Sequence, residues 1–428
     1  MFDVAIIAGG KGTRSANPGV PKSLQSVFGR PIIYNQLREL NLLLGQNPAT
    51  VRIMSGFGSD KISEYVKSVE HEFKNLRITI VNESLPTGTL IPVINQAKLS
   101  SEKYSLVILG DLYLKFKTSS FMINVFNLMK QDPDIGFFVH PNKHPNQSDV
   151  VSMDPISCRV DEIFLKNRDL NATASNLAIA GIFLVKNEAI KHLTSIPGDF
   201  VESYCKGAVK NSFCLGLRTT DFIADAGTPE RVHKIENFHQ ISTGEKNLFM
   251  NQSALFIDLD DTLILNQDVK VQFQAHMFNR NLIEIVSFCN SNAINVIVVT
   301  NQPGIAKGQF TAWQFQKFIQ EFEVYISQFD IHIDDIFVCP HHPEQGWKGE
   351  LRDLKINCDC RKPRSKLFKD ATIKHDIDLG KSLFLGDSQS DSEAAKRLGL
   401  KFIRYERNSF NETVNEVHSA LQKKESPK

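Results

Sequence analysis

Residues 254–262 read ALFIDLDDT, and this stretch indicates the fold class of the half of the chain that contains it. The apolar run from Ala254 to Ile257 is typical of a short strand buried in a parallel sheet. The run leads into the pattern D-x-D-x-T, with carboxylates at Asp258 and Asp260. In open α/β sheets, ligands bind at the carboxyl ends of the strands, so these carboxylates lie where chemistry is expected. Standing alone, DLDDT would be explained as well by an ordinary acidic turn.

The same rhythm recurs along the chain: a short apolar run is followed by a longer segment of mixed polarity. Further examples are residues 4–8, 106–109, 296–299 and 383–385. This rhythm indicates buried parallel strands that alternate with helices. The sequence therefore predicts an α/β protein with mainly parallel, Rossmann-like sheets.

The length of the chain predicts more than one domain. It has 428 residues, whereas single hydrophobic cores stop growing near ~250–300 residues. An apolar run followed by a distinctive motif occurs near Val4 and again near Ala254, and each reads as the first strand of a domain. Residues 237–253 between them are polar and lack a clear period. We predict domains at 1–238 and 253–428, joined by a linker at 239–252.

Composition restricts the class of protein. Lys and Arg total 49 and Asp and Glu total 48, for a formal charge of +1. This balance argues against a protein that binds nucleic acid or membrane surfaces by bulk attraction. The sequence contains no apolar stretch of the ~18–20 residues that a membrane span needs. The N-terminus lacks the basic region and cleavage site of a signal peptide, so a cytoplasmic location is expected.

The first half opens with a glycine-rich turn at residues 8–14, AGGKGTR. Glycines allow backbone N–H groups to approach phosphate oxygens, and Arg14 could contact the same phosphates. Lys22, in the Pro-Lys pair that follows, could add a second cation. A tight strand-to-helix turn with solvated cations would explain the turn by itself.

Two later carboxylates favour a nucleotide site. Asp111 follows the buried run 106–109, and Asp225 lies in the turn 224–230, ADAGTPE. Two carboxylates that bind one Mg²⁺, which also bridges phosphates, are common in such sites. Either aspartate alone would be explained by turn formation.

Together these motifs resemble the sugar-1-phosphate nucleotidyltransferases, over about residues 1–238. The matching segments, in family order, are AGGKGTR (8–14), PK (21–22), GRP (29–31), ESLPTGT (83–89), GD (110–111) and DAGTPE (225–230). The resemblance implies a transferase that uses a nucleoside triphosphate, a sugar phosphate and Mg²⁺. Ser15 and Leu90 depart from the family pattern, which leaves the base and the sugar open.

The resemblance also implies roles for individual residues. The residues that would hold the nucleoside triphosphate are Gly9, Gly10, Gly12, Thr13 and Arg14. Arg14 and Lys22 would spread the charge of the reacting phosphates, and Asp111 and Asp225 would hold Mg²⁺. The residues that would face the sugar or its phosphate are Glu83, Gly88, Lys166, Asn176 and Gly181.

The second half continues the pattern begun by Asp258. Its later motifs are VTNQ (299–302), RKP (361–363) and LGDSQSD (385–391). In this order they resemble the haloacid-dehalogenase-like phosphatases, over about residues 253–405.

That resemblance assigns the chemistry of an aspartyl-phosphate enzyme. Asp258 would attack phosphorus, and Asp260 would protonate the leaving group and then activate water. Thr300 would bond the phosphoryl oxygens, and Lys362 would offset negative charge. Asp387 would complete a Mg²⁺ site with Asp258 and the Asp260 carbonyl. Two further residues carry supporting roles: Asn301 in substrate binding and Asp391 beside the metal.

Three of the seven cysteines cluster with a histidine pair at residues 339–360. Cys339, His341, Cys358 and Cys360 make a Cys₃His set suited to structural Zn²⁺, and His342 could replace His341. Buried free thiols beside a surface histidine pair would be the plain structural explanation. A catalytic zinc is disfavoured because four protein ligands leave no open position.

With this cluster included, the second half resembles the zinc-containing D-glycero-D-manno-heptose 1,7-bisphosphate phosphatases. Histidinol-phosphate phosphatases share the zinc loop. The sequence has no insert long enough for a large cap, so the small zinc loop would form the pocket wall, and Arg361 with Lys362 would recognise the charge of the substrate.

The combination predicts a bifunctional enzyme of nucleotide-activated sugar synthesis, with heptose and GTP favoured. Two alternatives remain: the same chemistries on another sugar or polyol phosphate with CTP, or one half that serves only as a ligand-binding regulatory module. The anomer, the oligomeric state and any channelling of an intermediate stay open, and a homo-oligomer is compatible with the sequence.

Overall fold

The structure is a computed structural model that describes residues 2–10, 19–45, 49–83, 88–142, 144–166, 175–243, 252–265 and 271–422. The strands of the first half are β1 (Phe2–Ala8), β2 (Ser26–Val27), β3 (Arg30–Pro31), β4 (Ala49–Ser55), β5 (Leu76–Asn82), β6 (Tyr104–Leu109), β7 (Leu112–Lys115), β8 (Ile135–Pro141), β9 (Val150–Met153), β10 (Val160–Phe164), β11 (Leu177–Lys186), β12 (Cys214–Arg218) and β13 (Phe222–Asp225). Those of the second half are β14 (Ala254–Ile257), β15 (Asn295–Asn301), β16 (Asp335–Cys339), β17 (Leu383–Gly386) and β18 (Lys401–Arg404).

The helices lie between these strands. In the first half they are α1 (Ile32–Leu44), α2 (Ser59–Val69), α3 (Leu90–Leu99), α4 (Thr118–Lys130), α5 (Asn187–Ile190), α6 (Lys206–Asn211) and α7 (Pro229–Thr243). In the second half they are α8 (Ile283–Ser291), α9 (Pro303–Ala306), α10 (Ala312–Ser327), α11 (Lys366–His375), α12 (Gln389–Leu398) and α13 (Phe410–Gln422). Helix α7 continues to Thr243, into the first residues of the predicted linker.

A nine-stranded mixed sheet forms the centre of the first half. Its main path is β10-β9-β11-β6-β1-β4-β5, with β8 attached to β11 and β12 attached to β8. Strands β6, β1, β4 and β5 run parallel, and β11 joins β6 antiparallel. Side chains of β1 alternate between two cores: Val4 and Ile6 enter one, whereas Ala5 and Ile7 enter the other. This alternation explains why β1 reads as a continuous apolar run.

A separate two-stranded ribbon pairs β7 with β13 in antiparallel register. Leu112 lies opposite Asp225, and Lys115 lies opposite Phe222. The pairing brings together segments more than a hundred residues apart in sequence and places Asp111 beside Asp225.

A five-stranded, fully parallel sheet forms the centre of the second half, in the order β16-β15-β14-β17-β18. Strand β14 is central and entirely buried. Leu255 and Ile257 pack in one core, and Ala254 and Phe256 pack in the other. The strand order reverses direction at β14, so Asp258 lies at the switch point where α/β sheets bind ligands. The predicted α/β class with mainly parallel sheets is confirmed.

Buried charged side chains join the two halves. Arg218, at the end of β12, donates from Nη1 to Glu323 Oε1 at 2.6 Å and from Nη2 to Oε2 at 3.0 Å. Both side chains are about fully buried, with 2% and 1% exposure. Ser152 on β9 also accepts hydrogen bonds from Gln316 and Gln320 of α10. Within the described ranges, none of the helices is long and apolar enough to cross a membrane.

Candidate active sites

The glycine turn of the first half begins at the carboxyl end of β1. Gly9 O accepts a hydrogen bond from Phe57 N at 3.4 Å, and a Cβ added at Gly56 would come within 3.3 Å of the Gly9 backbone. The turns at Gly9 and Gly56 therefore approach each other closely, because neither glycine carries a side chain. Among the described residues, no heavy atom lies within 4 Å of a Cβ added at Gly10. Three residues assigned to the triphosphate, Gly12, Thr13 and Arg14, lie outside the described residues.

Asp111 and Asp225 converge beside Lys22. Lys22 Nζ donates to Asp111 Oδ2 at 2.9 Å. A Cβ added at Gly227 would meet Asp225 Oδ1 at 2.9 Å, Asp111 Oδ2 at 3.2 Å and Lys22 Nζ at 3.3 Å. The predicted cation and both predicted carboxylates therefore surround one glycine, which leaves room for them to approach each other.

Arg231, in the first turns of α7, pairs with Asp225 through Nη1 and Oδ2. Arg231 directly follows the ADAGTPE motif but does not belong to it, so the motif gave no reason to predict this contact. Each carboxylate thus has a cationic partner here. The oxygen donors suit Mg²⁺, and both converge on one point, so Asp111 and Asp225 fit the predicted metal.

The predicted sugar-facing residues lie on several separate elements of the first half. Glu83 N donates to Ser55 O at 2.7 Å, and Asn95 Nδ2 donates to Glu83 Oε1 at 3.2 Å. Burial raises the pKa of the Glu83 carboxyl, against the hydrogen bond from Asn95. Gly88 has a φ of +81° and packs against the Gly198 backbone, a position that only glycine fills without strain.

The other three assigned residues have different surroundings. Lys166 donates its backbone N–H to Asp149 Oδ1 at 2.7 Å. Gly181 has a φ of +78° and lies against Leu109 and Leu112, which flank Asp111. Asn176 is fully buried, and its Nδ2 lies 3.5 Å from Glu323 O in the other half. The structure therefore brings Gly181 near the carboxylates but places the Asn176 amide at the junction between the halves.

Asp258 follows β14 and shares a buried lysine with Asp391. Lys362 Nζ lies 2.7 Å from Asp258 Oδ1 and 2.7 Å from Asp391 Oδ1. The Lys362 and Asp391 side chains are 2% and 0% exposed. Ser388 holds the other Asp391 oxygen with its N–H at 3.1 Å and its hydroxyl at 2.7 Å. Asp391 thus contacts Lys362 directly.

Asp387 completes a cluster of three carboxylates. One oxygen each of Asp258, Asp387 and Asp391 lies within 4.8 Å of the others. Thr262 Oγ1 donates to Asp387 Oδ1 at 3.4 Å. The single ammonium of Lys362 contacts two of the three carboxylates, so the cluster carries an excess of negative charge. These oxygen donors fit Mg²⁺.

Burial raises the pKa of two of these carboxyls. For Asp258 it does so to about 8, opposed by Lys362 and reinforced by Asp391 and Asp260. For Asp387, burial and then Asp391 raise the pKa. A bound divalent cation would favour the ionised forms of both groups.

Gln302 links the predicted acid–base residue to the predicted phosphate-binding threonine. Its Nε2 donates to Asp260 Oδ2 at 2.8 Å and to Thr300 Oγ1 at 2.9 Å. Gln302 is 3% exposed. Gln302 lies within the VTNQ motif, which by itself indicates no role for this side chain.

Asn301 holds the backbone of Lys362. Its Oδ1 accepts from Lys362 N at 2.9 Å, and its Nδ2 donates to Lys362 O at 3.1 Å. Arg361 donates from Nη1 to His341 O at 3.3 Å, which ties the RKP segment to the zinc loop. Asn301 thereby fixes the lysine between the two carboxylates.

The four predicted zinc ligands lie together. His341 Nδ1 is 3.2 Å from Cys360 Sγ, and Cys339 Sγ is 3.5 Å from Cys358 Sγ and 3.2 Å from Cys360 Sγ. All four ligand atoms fall within 4.8 Å of one another, a spacing that fits a tetrahedral Zn²⁺. His342 points elsewhere, with Nδ1 3.4 Å from Glu344 O. The geometry favours His341 over His342.

Comparisons with known proteins match the two halves of the chain to different families. A family model described as "Nucleotidyl transferase" matches residues 4–216. A second, described as "Polynucleotide kinase 3 phosphatase", matches residues 253–415. A solved structure of HddC from Yersinia pseudotuberculosis, complexed with GMP-PN, is 21% identical, covers 55% of this chain and 99% of its own, and has a TM-score of 0.45.

Curated relatives match the second half. The D-glycero-β-D-manno-heptose-1,7-bisphosphate 7-phosphatase of Escherichia coli O6:H1 is 32% identical over 142 residues, which are 33% of this chain and 73% of the relative. The enzyme of the same name from Haemophilus ducreyi is 31% identical over 153 residues, which are 36% of this chain and 81% of the relative. Through its second half the chain belongs to the family of these phosphatases, and with the nucleotidyltransferase domain of its first half it is both a hydrolase and a transferase.

Proposed function

We propose that this chain is a bifunctional enzyme that prepares a nucleotide-activated heptose. The observation that carries the proposal is the presence, in one chain, of a nucleotidyltransferase domain and a domain related to heptose-bisphosphate 7-phosphatases. Dephosphorylation of a sugar 1,7-bisphosphate leaves a sugar 1-phosphate, which is the class of substrate that nucleotidyltransferases of this kind consume. The two reactions therefore follow one another.

The phosphatase reaction has two displacements. A carboxylate oxygen of Asp258 attacks the phosphorus of the 7-phosphate, and the sugar oxygen leaves with a proton from Asp260. Asp260 then takes a proton from water, which attacks the aspartyl-phosphate, releases phosphate and regenerates Asp258. Gln302, at 2.8 Å, holds Asp260 for both proton transfers. Lys362 and Thr300 stabilise the charge on the phosphoryl oxygens.

Metal ions would support this half in two ways. Asp258, Asp387 and the Asp260 carbonyl would hold Mg²⁺, with Asp391 alongside, and a bound Mg²⁺ neutralises phosphoryl charge. Cys339, His341, Cys358 and Cys360 would hold a structural Zn²⁺ that shapes the loop beside Arg361.

The transferase reaction requires positioning more than covalent chemistry. An oxygen of the sugar 1-phosphate attacks the α-phosphorus of the nucleoside triphosphate, and pyrophosphate leaves. Lys22 and Arg14 spread the charge of the transferred and leaving phosphates, and Asp111 and Asp225 would hold Mg²⁺ beside them. GTP is favoured as the donor because a GDP-activated heptose would place both activities in one pathway.

The experiment measures phosphate and pyrophosphate from the full chain. Both anomers of D-glycero-D-manno-heptose 1,7-bisphosphate are supplied with Mg²⁺ and each of four nucleoside triphosphates. We expect phosphate first, then pyrophosphate with GTP alone. Asp258→Asn should abolish phosphate release yet keep pyrophosphate release from supplied heptose 1-phosphate. Absence of phosphate from both anomers with zinc-loaded protein would exclude heptose bisphosphate.

A second candidate keeps both chemistries with another sugar or polyol phosphate and CTP. The departures at Ser15 and Leu90 motivate it, and pyrophosphate release with CTP instead of GTP would establish it. A purely regulatory role for one half is disfavoured by the convergence of Asp111 with Asp225 and of Asp258 with Asp387.

A further inference from the structure

The ribbon of β7 and β13 has two distinct ends. One end, its metal-site end, carries the proposed metal ligands of the transferase, and the other, its interface end, contacts the second half of the chain. Asp111 directly precedes β7, and Asp225 is the last residue of β13. At the opposite end, Lys117 N donates to Asp221 Oδ1 at 2.6 Å. Lys117 Nζ also donates to Thr220 Oγ1 at 3.1 Å. The ribbon spans about 13 Å at ~3.3 Å per residue, so one short hydrogen-bonded unit joins the transferase carboxylates to the interface.

Helix α11 has a corresponding arrangement in the phosphatase half. It begins at Lys366, shortly after the active-site Lys362, and ends at His375. Its 10 residues span about 15 Å at ~1.5 Å per residue. The last carbonyls of a helix lack partners within the helix and require donors from elsewhere.

The first half supplies those donors. Lys117 Nζ donates to His375 O at 3.1 Å, and Asn124 Nδ2 on α4 donates to Lys374 O at 2.7 Å. Thr220 Oγ1 lies 3.2 Å from His375 Nδ1. Lys117 and His375 are 4% and 1% exposed. A buried cation at the C-terminus of α11 also complements the helix dipole.

The same helix end is anchored within its own half. Asp335 Oδ2, at the start of β16, lies 2.7 Å from both Lys374 Nζ and His375 Nε2. Arg218 of the first half approaches Asp335 Oδ1 at 3.7 Å. The end of α11 is therefore fixed from both halves, and a displacement of the ribbon has to move this helix end or break buried hydrogen bonds.

We propose that Lys117 and Asn124 are positioning residues of the phosphatase, and that occupancy of the transferase metal site changes phosphatase turnover through the ribbon and α11. The proposal rests on the proposed roles of Asp111, Asp225 and Lys362. Lys22 and Arg231 now contact the two carboxylates, and binding of Mg²⁺ with a nucleotide would replace those contacts at the metal-site end of the ribbon.

The test uses the full chain with p-nitrophenyl phosphate as the phosphatase substrate and nitrophenol as the readout. Turnover and KM are measured with Mg²⁺ alone and with each of four nucleoside triphosphates, whose binding is followed by equilibrium dialysis. We expect the nucleotide that binds to change kcat by about five-fold or more, the lower range of measured couplings. Asp225→Asn should remove the effect, whereas simple competition at the phosphatase site would survive that substitution.

Variants of the junction separate positioning from general stability. Lys117→Met and Asn124→Leu should lower kcat more than they raise KM and should abolish the nucleotide effect, and Lys117→Arg should restore it. Gln316→Leu is the matched control because it removes hydrogen bonds across the same interface, to Ser152 and Asp161, away from the ribbon. It should keep the nucleotide effect.

Two results would overturn the proposal, and they are distinguishable. If a nucleoside triphosphate binds and kcat stays constant, the coupling is wrong while the transferase assignment stands. If none of the four binds, the transferase assignment itself fails and the proposal fails with it.

Discussion

At the scale of single residues, Gln302 holds Asp260 through a buried hydrogen bond. Gln302→Ala removes the hydrogen bonds to Asp260 and Thr300. A hydrogen bond to a charged group contributes about 1.5–3 kcal/mol, so we expect phosphatase kcat to fall about 10- to 100-fold. Steady-state phosphate release measures the loss. Pyrophosphate release should be unchanged, and an equal loss of both activities would indicate general unfolding instead.

Gly227 provides the matching prediction for the transferase. A Cβ at this position would lie 2.9 Å from Asp225 Oδ1, too close for normal packing, so Gly227→Ala should lower pyrophosphate release by at least about 10-fold. Gly207→Ala is the control, since nothing lies within 4 Å of its added Cβ. Phosphate release should be unaffected by both variants. A Gly227→Ala protein with full transferase activity would contradict the placement of the metal carboxylates.

The sequence motifs indicate the candidate catalytic groups but not the side chains that hold those groups in place. Asp258, Lys362 and Asp387 stand in recognisable motifs, and the structure brings them together. Gln302 and Arg231 stand beside motifs, but a glutamine or arginine near a turn is too common to indicate a contact. Asn176 was assigned to the sugar by its motif alone, and its burial against Glu323 depends on the arrangement of the two halves.

At the scale of elements, the loop between β16 and α11 should depend for its shape on zinc bound by the four proposed ligands. Few apolar side chains are available to the loop, and several of its residues from 344 to 356 are exposed. Removal of zinc with a strong chelator should therefore lower phosphatase activity and the midpoint of thermal unfolding of the chain. Cys360→Ser should reproduce both losses, and metal analysis should show zinc lost from the variant.

The control for this prediction is His342→Ala, because His342 lies outside the ligand cluster. That variant should retain its zinc. Loss of zinc from His342→Ala, with retention by His341→Ala, would reverse the assignment of the fourth ligand.

Periodicity predicted the buried central strands of the two main sheets and failed for the ribbon. β1 and β14 are apolar runs because both of their faces are buried, and that signal is local. β7 and β13 are short, and their pairing depends on residues 112–115 meeting residues 222–225, for which one sequence carries no local signal. The end of helix α7, beyond the predicted boundary, was also not predicted. Its polar sequence lacks a clear amphipathic period and therefore gives no local helix signal.

At the scale of the whole molecule, a buried ion pair joins the two halves. The pair of Arg218 and Glu323 could not be predicted, because each residue alone looks like a solvated charge on its own domain. Its geometry is bidentate and almost fully buried. In this pair, each half supplies the counter-ion for a charge that the other half buries. The halves should therefore not unfold independently.

The charge pair yields a test of that dependence. Breaking a buried ion pair from one side typically costs about 3–5 kcal/mol, whereas replacing both partners by apolar residues is often nearly neutral. Arg218→Met should therefore strongly lower the urea midpoint, and Arg218→Met combined with Glu323→Leu should recover most of the loss.

Both tryptophans of the chain, Trp313 and Trp347, lie in the second half, so their fluorescence reports that half alone. We expect the substitution at Arg218, in the first half, to shift this tryptophan transition together with the circular dichroism of the whole chain. A shift in circular dichroism with an unchanged tryptophan transition would show instead that the two domains unfold separately.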